Sequence, residues 1–380
     1  MKPMSFMPWL LALMLGCAVP ALRAAPPLTL TDLAGRQVTL NAPAQRVVLG
    51  DSRLLLAMSL LRPNDPLRGI VAWDDSLRRR APDMARRYAQ RYPHLAQIPV
   101  FANPYRSDLS VEFLLPLRPD LAIFDLGLLP RLRESGTLDL LARSGIATLF
   151  IDFRRQPLHN TVPSLRLLGE ALGESANAER FIAHYQQRLA RVQQRIATLP
   201  DDERPGVVFE NHAGMTGNTC CAVFGRSGFG RFISAAGGRN LLADRVPEHG
   251  GDINSEQLIA ARPDYYLLSG ADWSQRGGLS LAVPLGYQAS EADTRPRLQQ
   301  LLTRRGFDTL PAVRQGRVMA VYHQFYDSPF NVIALEAIAK FLHPARFHDV
   351  DPQRDLQIWY RQFAGIDVHG LFFLQADAAS

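Results

Sequence analysis

The chain has 380 residues, 47% hydrophobic and 21% charged, with a formal net charge of +6. That length exceeds one comfortable hydrophobic core and asks for two domains, and the apolar content excludes a disordered chain. The basic excess is spread along the chain without a basic run or interleaved aromatics, so nothing argues for nucleic acid as a partner. Only Lys2 and Lys340 are lysine, which leaves 40 arginines among 42 basic residues. Arginine supplies planar, permanently charged forks suited to carboxylates and oxygen-rich anions.

Residues 1–24 read as a secretory signal: Lys2, then the apolar run FMPWLLALMLGCAVPAL, then the small-residue end LRAA, with cleavage expected after Ala24. A lipoprotein is the competing reading, because Gly16 precedes Cys17, although Met14 weakens the lipobox. Both readings export the chain to the periplasm.

From residue 28 short apolar runs alternate with amphipathic stretches, the pattern of a parallel sheet with helices. LTLTDLAGRQVTL predicts a hairpin around Ala34-Gly35. RVVLG (46–50), GIVAW (69–73), LAIFD (121–125) and ATLFID (147–152) predict strands. No proline occurs between Pro163 and Pro200, and there Phe181, Ile182, Tyr185, Leu189, Val192 and Ile196 repeat at three- and four-residue spacing. That spacing predicts a long helix over 175–199, stopped before it by Gly173 and capped by Ser175. A second α/β series follows with PGVVFEN (205–211), YYLLSG (265–270), GRVMAVY (316–322) and helices RFISAAGG, NVIALEAIAKFLHP and RDLQIWYRQFAG. The predicted organisation is an N-terminal lobe over 25–174, a linking helix over 175–199 and a C-terminal lobe over 200–380. The predicted fold class is α/β, with two lobes of largely parallel central sheet and a cleft between them.

One junction is written twice. SVEFLLPLRPDLAIFD from residue 110 and NSEQLIAARPDYYLLSG from residue 254 share E-x-L-x-x-x-R-P-D at an offset of 144 residues, which matches Glu112 to Glu256.

Ligands of parallel α/β sheets bind beyond the carboxyl ends of strands. Those ends here carry Arg53, Trp73, His212, Arg226, Trp273, Arg276, His323 and Tyr326, the candidate ligand-binding residues. Aromatic plates beside arginines suit a flat or chelated organic anion. Enzyme motifs are weak: GRSGFG has no Walker lysine, and no GxSxG or HExxH is present. A nucleophilic Cys220 with His212 as base, or a metal there, is the rival enzyme reading, without a third group at suitable spacing. Cys220 and Cys221 read as adjacent thiols or as a vicinal disulfide in a glycine-rich loop.

Together these segments resemble the periplasmic binding proteins of iron-siderophore and cobalamin ABC importers, from about residue 28 to about 350. The carriers are LTDLAGRQVTLNAPAQRVV, the twice-written junction, GEALG with the long helix, FISAAGGRNLLAD and AVRQGRVMAVYHQFYDSPFNVIALEAIAKFLHP. The resemblance implies a bilobed fold with one rigid linking helix, limited closure on the ligand, and docking onto an inner-membrane ABC permease through Glu112 and Glu256. It implies a non-catalytic monomer without a resident cofactor, carrying an Fe(III)-siderophore. Haem or a corrinoid is the alternative cargo, with His323 or Tyr326 as a conceivable axial ligand.

Overall fold

A computed structural model of the chain describes residues 27–273 and 280–377. The signal segment with Cys17, and Arg276, lie outside the described residues.

The chain opens with an antiparallel hairpin of β1 (Leu28–Thr31) and β2 (Gln37–Leu40). Gly35 takes a φ of 74° in its turn, the left-handed conformation that only glycine adopts without cost. The N-terminal sheet contains β3 (Val47–Leu49), β4 (Ile70–Asp74), β5 (Val100–Phe101), β6 (Leu121–Asp125) and β7 (Ala147–Ile151). Its order is β5-β4-β3-β6-β7 and every pairing is parallel. Strands buried on both faces read as continuous apolar runs, and β3 and β7 do so.

The C-terminal sheet is mixed. β8 (Gly206–Asn211), β12 (Tyr265–Gly270) and β13 (Val318–Tyr322) form its parallel centre. β9 (Ala222–Val223) and β11 (Gly251–Asp252) add antiparallel on one side, β10 (Arg239–Asn240) pairs with β8, and β14 (Phe373–Gln375) closes antiparallel on β13. These short edge strands carry too few residues for a period-2 signal, and the sequence reading has none of them.

The linking helix runs Ser175–Ala197, about 34 Å at 1.5 Å per residue. Gly173 ends the preceding helix in the left-handed conformation, as expected. Ser175 does not cap: it is the first helical residue, and the cap position belongs to Glu174, whose carboxylate is taken by Arg62, Arg68 and Asn177. The predicted apolar face is buried except at half-buried Leu189, with Phe181 packed on Phe330, Trp359 and Phe363 at ring-centroid distances of 5.6, 5.0 and 5.2 Å. The helix is not the lobes' only connection. One hydrophobic cluster runs from Met58 and Tyr88 through Phe181 to Tyr266 and Tyr360, so the lobes share a core behind the cleft. The tail reinforces this: after the helix Pro352–Trp359, the Asp367 carbonyl accepts from Arg87 Nε at 2.7 Å.

The duplicated junction has a folding purpose in both copies. Arg118 and Arg262 end their helices with nearly identical left-handed backbones, φ 45° and 46°. The aspartate that follows then pins the start of the first strand of its lobe's main sheet, β3 or β8. Asp120 accepts from the Gln45 and Arg46 amides at 2.8 and 3.0 Å, and Asp264 from the Gly206 amide at 2.7 Å. Glu112 and Glu256 make none of these bonds; both are exposed in the first turn of their helices.

Candidate functional site

The parallel strands of both lobes deliver their carboxyl ends to one cleft. Its main cavity, about 340 Å³, is lined from the N-terminal lobe by Arg80, Tyr105, Arg154 and Arg155. The opposite wall includes Asn211, His212, Phe224, His249 and Tyr326. Among the described residues three arginines and no carboxylate face this space, so it repels a bare cation and favours an anion.

Each arginine is held differently. Asp152 at the end of β7 accepts the amides of Arg154, Arg155 and Gln156 at 2.8, 2.7 and 3.0 Å, turning the chain so that both arginines reach the cleft. Arg154 lies against the Tyr105 and Tyr326 rings, at 5.3 and 5.7 Å from their centroids, and bonds the Tyr326 hydroxyl at 3.1 Å. Tyr326, and Asp125 after it, hold Arg154 firmly protonated against the burial that opposes its charge. Arg80 is in the reverse situation. Burial, followed by the neighbouring charges of Arg53 and Arg154, lowers its pKa, and no carboxylate among the described residues pairs with it. An anion in the cleft would relieve that crowding.

His212 ends β8 with a φ of +53°, an uncommon conformation for a residue with a side chain. It is held there by the Ser269 hydroxyl, which accepts the His212 amide at 2.9 Å and lies 3.1 Å from His323 Nδ1. The two imidazoles sit 4.3 Å apart, each about 5 Å from the Trp273 ring. Burial, then the nearby His212 and arginines, push the His323 pKa well below its ordinary value, so that ring is neutral. Beside this trio a second cavity of about 200 Å³ is bounded by Arg53, Arg80, His212, Met215, Trp273, His323 and Gln324. Arg80 and His212 border both cavities. Asn211, the last residue of β8, lies on the main cavity's wall with its side-chain oxygen buried.

Of the residues named from sequence, His212, Trp273, His323 and Tyr326 are brought together here. Arg53 borders the smaller cavity, but its guanidinium is fully engaged, donating to Asp51 (3.0 Å from Nε) and to Gln324 (2.8 Å) and pairing with Asp327. It is thus a tie between the lobes. Trp73 does not reach the cleft: it packs in the N-terminal core at 3% exposure because its side chain turns inward at the end of β4. The neighbouring Asp74 serves the scaffold, accepting from the Ser52 amide at 2.6 Å and hydroxyl at 2.9 Å. Arg226 points to solvent, 65% exposed and paired with Asp244. Arg80, Tyr105, Arg154, Arg155, Asn211 and His249 are additions from the structure. Arg154-Arg155 had a legible signal, since they follow a predicted strand as Arg53 does; Arg80 lies in SLRRR, which reads as a solvated helix face.

Cys220 and Cys221 are joined as a vicinal disulfide across a cis peptide bond. The bond occupies the thiol that the enzyme reading required. Among the described residues no group of three or more His, Cys, Asp or Glu is placed to hold a metal ion.

A model of the periplasmic binding protein family matches residues 71–323. Among solved structures, the TroA-like periplasmic binding protein FepB from Veillonella parvula is 28% identical, with a TM-score of 0.84 over 92% of this chain and 100% of its own. The molybdate-bound periplasmic binding protein MolA from Haemophilus influenzae is 16% identical, with a TM-score of 0.67 over 90% of this chain and 99% of its own. A periplasmic heme binding protein from Pseudomonas aeruginosa is 23% identical, with a TM-score of 0.54 over 80% of this chain and 94% of its own. The last two show a common fold alone. No protein with a curated description matches the chain.

Proposed function

Because the chain belongs to the periplasmic binding protein family, we propose that its cleft captures a ferric siderophore of net negative charge for an inner-membrane ABC permease. The protein is a periplasmic solute-binding component of an ABC transporter, and its fold is that of binding proteins. The observation that carries the ligand class is the cation set of Arg80, Arg154 and Arg155 on an aromatic-walled cavity without a carboxylate. Charge-assisted hydrogen bonds from such forks hold the oxygens of a chelate, while Tyr105, Phe224 and Tyr326 cover its organic face.

Delivery requires an outer surface, and Glu112 and Glu256 supply matched, exposed carboxylates, one on each lobe. Individually such charges contribute little, so they would act jointly across a large interface with basic groups of the permease.

The test is a titration of the purified mature chain with ferric and iron-free siderophores, haem, cobalamin and molybdate, followed by tryptophan fluorescence. Saturable quenching by a ferric siderophore at micromolar or lower concentration is expected. Binding of haem alone, with a Soret shift, would overturn the siderophore reading.

A further inference from the structure

Arg154 reaches the main cavity between two phenol rings, one from each lobe: Tyr105 at 5.3 Å and Tyr326 at 5.7 Å from the ring centroids. The Tyr326 hydroxyl also accepts from Arg154 Nη2 at 3.1 Å. Tyr105 is fixed from behind. Its hydroxyl donates to Asp125 Oδ1 at the end of β6, and the same oxygen accepts the Gly127 amide at 2.9 Å. Burial, then the Asp125 charge, push the Tyr105 pKa well above its ordinary value, so the phenol keeps its proton and commits it to the carboxylate. Gly127 makes this approach possible: a Cβ there would lie 2.5 Å from the Tyr105 hydroxyl oxygen, 2.7 Å from Asp125 Oδ1 and 3.3 Å from Arg155 Nε. Its φ is outside the left-handed region, so the glycine supplies space and not a special backbone. Asp125 is absent from the main cavity's lining; it borders a separate void of about 20 Å³ with Asp51, Arg53, Arg154 and Asp327. Its influence on a ligand therefore passes through Tyr105 and through its charge near Arg154.

We propose that Asp125 is a positioning residue of the cleft: through the Tyr105 hydroxyl it fixes the ring against which the Arg154 guanidinium lies, and so sets the direction in which Arg154 offers its donors to a bound anion. The inference rests on the anion-binding reading of the cleft. Asp125, Tyr105 and Arg154 all belong to the N-terminal lobe, so the arrangement does not depend on Tyr326 from the other lobe. A cation oriented in advance spares the ligand the cost of ordering it. The charge of Asp125 alone acts in the opposite sense, since a carboxylate near Arg154 reduces the attraction for an anion. Position and charge therefore predict opposite results when the carboxylate becomes an amide, which keeps an acceptor oxygen and loses the charge.

Isothermal titration calorimetry of the mature chain and its variants with molybdate, a compact dianion, and with each ferric siderophore of the panel tests this. Asp125→Ala removes the acceptor and should weaken anion binding about tenfold. Asp125→Asn retains an acceptor for the Tyr105 hydroxyl and should restore at least the parent affinity. Gly127→Ala pushes the hydroxyl off the carboxylate without changing any charge, and should weaken binding about as much as Asp125→Ala. In an Arg154→Met background, titrated at higher ligand concentration, Asp125→Ala should change affinity less than about twofold, whereas a residue that only supports the fold weakens both backgrounds alike. Thermal midpoints confirm that each variant is folded. Parent-like affinity in Asp125→Ala or in Gly127→Ala overturns the positioning role and leaves the anion site standing. So does a loss in Asp125→Asn as large as in Asp125→Ala, or an equal loss in the Arg154→Met background. If neither molybdate nor any ferric siderophore binds the parent chain, the reading of the cleft falls and this inference falls with it.

Discussion

Replacing Arg53 by methionine should separate a tie between the lobes from a ligand contact. The substitution keeps most of the side chain's volume and removes the guanidinium shared by Asp51, Gln324 and Asp327. Both carboxylates are largely buried, with side chains 16% and 7% exposed. Burial works against the charge of Asp51, yet Arg53 beside it holds its pKa below the ordinary value; Asp327 is pushed upward by burial despite Arg53 and Arg154. Deleting the cation from such a buried group typically costs about 3–5 kcal/mol. At about 2.1 cal/mol/K per residue, a chain of this size has an unfolding entropy of roughly 0.7 kcal/mol/K, so Tm should fall by about 4–7 °C. Without Arg53 both carboxyls acquire raised folded-state pKa values. The folded variant then holds protons that the unfolded chain has released, so its stability falls as pH rises through that window. The deficit should therefore be full at pH 8 and smaller at pH 5. Differential scanning calorimetry of both proteins at the two pH values measures it. A Tm loss below about 2 °C at pH 8, or an equal loss at pH 5, would refute the tie. Arg80→Met is the control, since it removes a cation crowded by Arg53 and Arg154: Tm should hold or rise while ligand affinity drops.

Three other outcomes are expected. Glu112→Arg with Glu256→Arg should abolish uptake in cells while leaving ligand affinity in solution intact, and normal uptake would sink the docking role. Asp83, pushed up to about 6 mainly by burial, accepts the Tyr287 amide across the lobes at 3.1 Å. Its stability contribution declines as pH climbs from the unfolded value near 4 through 6, so Asp83→Asn should flatten the Tm–pH profile there; Asp74, also near 6, will keep part of the slope. Arg304→Met strands the fully buried Glu210, which Arg304 grips with two bonds of 2.6 Å, and should cost about 3–5 kcal/mol by urea denaturation. Adding Glu210→Leu should restore only part of that loss, because the buried Tyr266 hydroxyl then loses its acceptor.

The strands β6, β8 and β12, the linking helix and the duplicated junction are legible in the primary structure because each rests on local rules. Apolar runs bury strands, a 3.6-residue period marks one helix face, and Arg-Pro-Asp ends a helix before a strand. The same locality explains why Glu112 stands out, since its bond from the Ser110 hydroxyl at 3.1 Å is local and ties no strand to it. The membership of the cleft is a different kind of fact. That ligands bind at strand ends identifies loops, yet whether Trp73 turns into the core or Tyr105 turns out of it depends on the packing of neighbouring strands. Arg53 and Arg80 are both arginines shortly after a strand, and sequence cannot rank them. Asp51 is a local partner, but only the juxtaposition of the lobes adds Asp327 and Gln324 to Arg53 and leaves Arg80 facing the cleft. Charge in a binding site is what remains after partners within the fold have been satisfied, and partners distant in the chain are assigned by tertiary structure alone.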